Sequence, residues 1–315
     1  MQRLFTLGAL VAALLMPLSF VPAAKAAETV KVVTSFSILA DLVRRVGGDR
    51  VQVSAFVGPN TDMHVFQPAP GAAKELLDAD LVVINGLGFE GWADRLVKAS
   101  GYKGLLIVAS NGIKPRKTSH DGHGHSHGGK GHAHAHGPSD PHAWQDPANV
   151  KVYVANIRDA LIAADGAGKA QYEAAATGYL AELDRLDAEI RAAFEPIPDK
   201  ERRVITSHDA FNYFGAAYAI RFLAPQGMGG DSEPTAKAVA TLIRQIKRNN
   251  VRAVFVENIS SPRVIERIAK ETGVKLGGAL YSDALSGPDG PAPNYLAMMR
   301  HNARLLADAM RGNGS

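Results

Sequence analysis

The sequence has no cysteine in 315 residues, which rules out disulfides and sulfur-based metal sites. Any metal bound by this chain must use imidazole and carboxylate ligands, which narrows the candidate ions. Disulfides are also unnecessary, because a mature chain of about 290 residues buries enough surface without them. Beyond the amino terminus no segment approaches ~18 consecutive apolar residues, so no later membrane span is expected. No basic cluster with interleaved aromatics points to nucleic acid. No HExxH-like helix and no evident Ser-His-Asp set points to a hydrolase. The net charge is only +4, or +2 without Arg3 and Lys25, and steers no argument about partners.

The amino terminus reads as a secretory leader. Arg3 supplies a short basic start, residues 4–21 are largely apolar, and Ala24-Lys25-Ala26 offers small residues where a signal peptidase reads. Cleavage is expected near Ala26. Pro17 and Pro22 interrupt the run, which disfavours a membrane anchor. With no cysteine near the cleavage site, a freely diffusing periplasmic protein is expected, without a lipid.

Eight short segments rich in β-branched and aliphatic residues read as buried strands: 30–34, 51–57, 81–85, 105–109, 203–206, 221–224, 251–256 and 275–280. Helical patterns lie between most of them, and such alternation implies parallel sheets covered on both faces. The expected fold is α/β, with two lobes, each a four-stranded parallel sheet flanked by helices. Between the halves, Tyr172, Tyr179, Leu183, Leu186, Ile190 and Phe194 share one helix face. A helix of that length makes a stiff strut between lobes, ended by Pro196 and Pro198. The expected division is a leader over 1–26, a first lobe over 27–165, a linking helix over 166–197 and a second lobe over 198–315.

Residues 117–138 are mostly Gly, Ser, Ala and His, with His120, His123, His125, His127, His132, His134 and His136. So few apolar side chains imply a mobile loop. Only four other histidines exist. His64 follows the strand at 51–57, His142 lies in Asp140-Pro141-His142-Ala143-Trp144, and His208 ends the strand at 203–206. Asp283 follows the strand at 275–280. Ligands of open α/β sheets bind at the carboxyl ends of strands. Two facing lobes would therefore bring His64, His142, His208 and Asp283 together, two from each lobe, as a four-coordinate shell suited to Zn²⁺. Taken singly, each is as readily a loop residue, a turn former or a helix cap. Asp209 could orient His208 or cap the following helix. His301, between Arg300 and Asn302, reads as a surface residue.

Four stretches carry a family resemblance: Gly58-Pro59 through Asp62-Met63-His64-Val65-Phe66-Gln67-Pro68, Asp140-Pro141-His142-Ala143-Trp144, Ser207-His208-Asp209-Ala210-Phe211 and Tyr281-Ser282-Asp283. They resemble the metal-binding motifs of ZnuA/TroA-type substrate-binding proteins, which serve ABC importers of zinc or manganese. The stretch Asn294-Tyr295-Leu296-Ala297-Met298-Met299-Arg300-His301-Asn302 is similar to that family's last helix. The resemblance implies two four-stranded lobes, a rigid linking helix and one metal in the cleft, with His64, His142, His208 and Asp283 as ligands. Met63 stands where proline is usual and Gln67 where glutamate is frequent; neither is a ligand in most of the family. Manganese members tend to carry a carboxylate at the position of His208, so imidazole there favours Zn²⁺. The spacing and the lack of cysteine look closest to AztC-like zinc proteins.

The resulting expectation is a monomeric periplasmic protein, not an enzyme, that captures one Zn²⁺ tightly and delivers it to an ABC permease. A periplasmic zinc chaperone could load it. The histidine-rich stretch is expected to be an auxiliary, weaker zinc trap or transfer site, against the alternative of a solvated linker. The strut helix leaves little hinge, so limited closure is expected, with release by local loop movement on the permease. The rival classes are a zinc-dependent hydrolase, for which Glu257 could be a base or merely a strand-end residue paired with an Arg, and a zinc buffer or adhesin without a permease. A hydrolase would leave one coordination position open for water.

Overall fold

The computed structural model describes residues 29–117, 139–224, 236–249 and 251–312. The leader and the seven loop histidines lie outside these. In the first lobe the order is β1 (Val30–Phe36), α1 (Ser37–Gly47), β2 (Val51–Val57), α2 (Ala72–Leu77), β3 (Leu81–Ile84), α3 (Ala93–Ser100) and β4 (Leu105–Val108). Then come α4 (Pro147–Ala164) and α5 (Lys169–Phe194). The second lobe runs β5 (Arg203–Ile205), α6 (Asn212–Tyr218), β6 (Arg221–Leu223), α7 (Ala236–Asn249), β7 (Ala253–Glu257), α8 (Arg263–Thr272), β8 (Lys275–Leu280) and α9 (Tyr295–Met310).

The strands form two four-stranded sheets of order β2-β1-β3-β4 and β6-β5-β7-β8, and every pairing is parallel. In each sheet the strand that comes first in sequence is internal, so the chain reverses direction across the sheet. The loops at the carboxyl ends of the strands then line one edge, where such sheets present ligands. β1 runs two residues further than its apolar run predicts, because Phe36 pairs with Val57 of β2. β7 starts at Ala253 instead of 251. β3 stops at Ile84, and the Asn85 amide turns to donate to the carbonyls of Gly86 and Pro141.

One irregularity aims a site residue. Between Val254↔Leu276 and Val256↔Ala279 the register of β8 gains a residue. The extra residue falls at Gly277-Gly278. Gly278 has φ of +103°, and a Cβ on Gly277 would lie 2.3 Å from the Phe255 ring, so this bulge accepts only glycine without rearrangement. It re-aims the end of β8, from which Ser282 and Asp283 follow.

Helix α5 has 26 residues, roughly 39 Å at 1.5 Å per residue. Tyr172, Ala176, Tyr179, Leu183, Leu186, Ile190 and Phe194 are its buried face, the stripe expected from the spacing. They pack against α1, α4 and α9. Both ends are pinned. Asp165 accepts from Arg50 Nε at 2.7 Å and from Tyr172 Oη at 2.8 Å. At the far end the Arg202 guanidinium donates to the carbonyls of Phe194 and Ile197, both at 2.9 Å, satisfying acceptors that a helix end leaves open. The long helix thus bridges one lobe to the other. Leu186→Ala should remove packing from the centre of this strut and cost about 2–5 kcal/mol. A denaturation midpoint unchanged from that of the intact protein would contradict this packing.

Candidate metal centre

His64, His142, His208 and Asp283 converge. Each offers one ligand atom, and the four atoms lie within 4.8 Å of one another. Among the described residues no other such cluster of three or more His, Cys, Asp or Glu residues occurs. Asp283 Oδ2 is 3.0 Å from His64 Nε2 and 3.1 Å from His208 Nε2, and Asp283 Oδ1 is 3.6 Å from His142 Nε2. In a tetrahedral zinc shell with bonds near 2.05 Å, ligand atoms sit ~3.3 Å apart, so these spacings already approximate one. Asp283 Oδ1 and His142 Nε2 are buried and lack any hydrogen-bond partner among the described residues. Buried polar atoms are rarely left so, and a cation between the two would satisfy both.

Each imidazole is aimed by a carboxylate or by packing. Asp62 Oδ1 accepts from the backbone N–H of His64 at 2.8 Å. Asp140 Oδ1 likewise accepts from the N–H of His142 at 2.9 Å and also meets its Nδ1 at 2.7 Å. The same local turn, an Asp two residues ahead of the ligand, is thus used twice. For His142 it also engages one ring nitrogen and leaves Nε2 toward the cleft, as an outer carboxylate does for a metal ligand. Glu257, buried at the end of β7, accepts from the N–H of His208 at 2.9 Å, and its other oxygen lies 2.6 Å from His208 Nδ1.

These supports were only partly foreseen. Glu257 is neither a base open to substrate nor a residue paired with an Arg; it is 2% exposed and holds His208. Asp140, fully buried, was legible only as part of a motif. His301 is not a surface residue: it is half-buried, its Nε2 lies 3.0 Å from the Ala279 carbonyl, and its ring meets that of Tyr281. The reason is that α9 packs on β8. The wall of the site also escaped the sequence reading. Phe89 lies edge-on to His64 with centroids 5.3 Å apart. It is carried on a tight turn in which Gly86, Leu87 and Gly88 all have positive φ. Glu90 braces that turn, accepting from Ser35 Oγ and from the N–H groups of Asn85 and Gly86.

The buried groups shift one another's pKa values. Burial opposes a proton on His142, but Asp283 and Asp140 outweigh it and raise its pKa to about 9. For His208 burial is likewise overcome by Glu257 and Asp283, and its pKa is well above the ordinary value. Burial alone would raise Asp283, yet His142 and His208 hold it well below the usual carboxylate range. The sign of the pH dependence follows. A histidine with a raised folded pKa stabilises fully below its unfolded value of ~6.5, and the contribution is lost as pH rises through the folded value. Asp283 contributes above its unfolded value, and that contribution is lost as pH falls through its lowered one. Metal-free protein should therefore melt at a lower temperature at about pH 9.5 than at about pH 7. A melting temperature that held or rose across that interval would show the imidazolium–carboxylate cluster to be unimportant.

Comparison with known proteins agrees with this architecture. The family model for ZnuA, "Zinc-uptake complex component A periplasmic", matches residues 32–309. The iron-binding protein YfeA of Yersinia pestis is 30% identical over 281 residues, covering 89% of this chain and 86% of that protein. The manganese-binding lipoprotein MntA of Halalkalibacterium halodurans is 31% identical over 275 residues, covering 87% and 86% respectively. The solved structure of the periplasmic zinc binding protein TroA from Treponema pallidum matches with a TM-score of 0.80 at 25% identity, covering 90% of this chain and 99% of that one. The Mn-bound periplasmic metal binding protein of Candidatus Liberibacter asiaticus gives 0.78 at 27%, covering 90% and 100%. Proteins of this kind bind metal for transport and are not enzymes. From β1 to α9 the likeness is continuous, and the chain belongs to the ZnuA family of metal-binding, substrate-binding components of ABC transporters.

Proposed function

We propose that this protein captures Zn²⁺ outside the cytoplasm, through His64, His142, His208 and Asp283, and delivers it to the permease of an ABC importer. The observation that carries the reading is the convergence of three imidazoles and one carboxylate within 4.8 Å. Membership of the family implies a membrane permease partner. The choice of zinc rests on the donor set. Imidazole suits Zn²⁺, whereas Mn²⁺ is served better by carboxylate, carbonyl and water oxygens. The names of relatives include iron and manganese, so the metal is argued from this chain's own ligands.

Four protein ligands close a tetrahedral shell and leave no position for a catalytic water, which favours carriage over hydrolysis. No helix among the described residues is long and apolar enough to cross a membrane. The proposed mature form starts after Ala26, is a monomer, and lacks the lipid that several relatives' names record, since there is no cysteine to carry one. The histidine-rich stretch is proposed as a weaker capture or transfer site, loaded directly or by a periplasmic chaperone. Seven imidazoles on a chain poor in apolar residues would bind metal only by ordering that chain, which lowers their affinity.

Competitive titration should find one tight zinc per protein that excess Mn²⁺ does not displace. His64→Ala, His208→Ala and Asp283→Ala should each weaken zinc binding at least about tenfold. Tighter binding of Mn²⁺ than of Zn²⁺ would overturn the choice of metal. Deleting residues 117–138 should lower total zinc stoichiometry or slow loading while leaving the tight site. Unchanged stoichiometry, loading rate and growth in scarce zinc would remove the role given to that stretch.

A further inference from the structure

By its position in the sequence Asp283 belongs to the second lobe, where Asn302 and Asn258 bond the flanking Tyr281 and Ala284, but hydrogen bonds from the first lobe also hold it. The carbonyl of Ser282, next to the ligand, accepts from the indole N–H of Trp144 at 2.8 Å and from the Gln145 amide at 2.7 Å. Two residues further on, the Leu285 N–H donates to Ser37 Oγ at 3.0 Å, and its carbonyl accepts from the Asn60 N–H at 2.9 Å. At the start of α9, the Tyr295 N–H donates to Asp41 and its hydroxyl donates to the Trp144 carbonyl, both at 2.8 Å. Ser37, Asp41, Asn60, Trp144 and Gln145 are all first-lobe residues.

Gln145 is the informative member. It is fully buried, and its Oε1 has no hydrogen-bond partner among the described residues. A buried amide with an unsatisfied carbonyl is a net cost to folding. Stability alone would be served by an apolar side chain of the same shape. What glutamine supplies that such a residue cannot is the N–H aimed at the Ser282 carbonyl.

We infer that Gln145, seconded by Trp144, is a positioning residue that ties the Asp283 segment to the first lobe and so sets the carboxylate. Asp283, which follows β8 of the second-lobe sheet, is then held from both lobes, whereas the hydrogen bonds at the His208 backbone come from Thr206 and Glu257 of the second lobe. This rests on the metal-carrier reading above and adds to it which residue places the carboxylate.

A double-mutant cycle reads it. Gln145→Met keeps the length of the side chain and removes the donor. It should raise the zinc dissociation constant about tenfold, as loss of an outer-shell partner typically does, while the metal-free protein melts no lower than the parent. The penalty should vanish in an Asp283→Ala background and persist in a His208→Ala background. A penalty of equal size in the Asp283→Ala background would overturn the inference, as would no penalty in the otherwise intact protein. Should Gln145→Met fail to fold, Gln145→Glu, which puts an oxygen where the donor stood, is read by the same cycle. Absence of zinc binding by the intact protein would instead sink the carrier reading, which separates the two failures.

Discussion

Everything in this molecule's working end depends on one buried carboxylate. Asp283 is fully buried and meets three imidazoles at 3.0 to 3.6 Å. An isolated buried carboxylate is very costly, and a buried charge survives only when paired. Asp283 helps raise the pKa of His142 and of His208, and those two in turn hold Asp283 low. A divalent cation would do the same service with its own charge. Metal and protons therefore compete for one cluster.

The scaffold meets this demand with few devices. Parallel strands bring the loops of each sheet to one edge, and the Gly277-Gly278 bulge turns the end of β8 so that Ser282 and Asp283 reach the cleft. Two Asp-x-His turns fix the backbone of His64 and His142. Helix α5, clamped by Asp165 at one end and Arg202 at the other, keeps the lobes facing. A site assembled from four distant points in the chain needs such stiffness. Error in any one element would otherwise be carried to the ligand atoms.

Much of this was legible in the letters. The eight apolar runs and the α5 stripe are local patterns, because burying one face dictates residue type at fixed periods. Strand ends were less so. Phe36 belongs to β1 only because Val57 is there to pair with it, which no local pattern reveals. The four ligand candidates stood out because histidine is scarce outside the 117–138 stretch and each candidate sits by a strand end. Their supports did not, although the repeated Asp-x-His spacing at Asp62 and Asp140 is a local pattern. Glu257, Phe89 and Gln145 act from elements distant in sequence from the atoms they touch. Glu257 looks like any strand-end acid, and His301 like any polar helix residue, until β7, β8 and α9 are packed.

The central claim is that three imidazoles and one carboxylate close on a single zinc. X-ray absorption spectroscopy of the protein loaded with one equivalent of zinc tests it most directly. The account predicts four light-atom neighbours at about 2.0–2.1 Å, with the outer-shell signature of three imidazole rings. A shell of five or six oxygens, or one with fewer than two imidazoles, would contradict it.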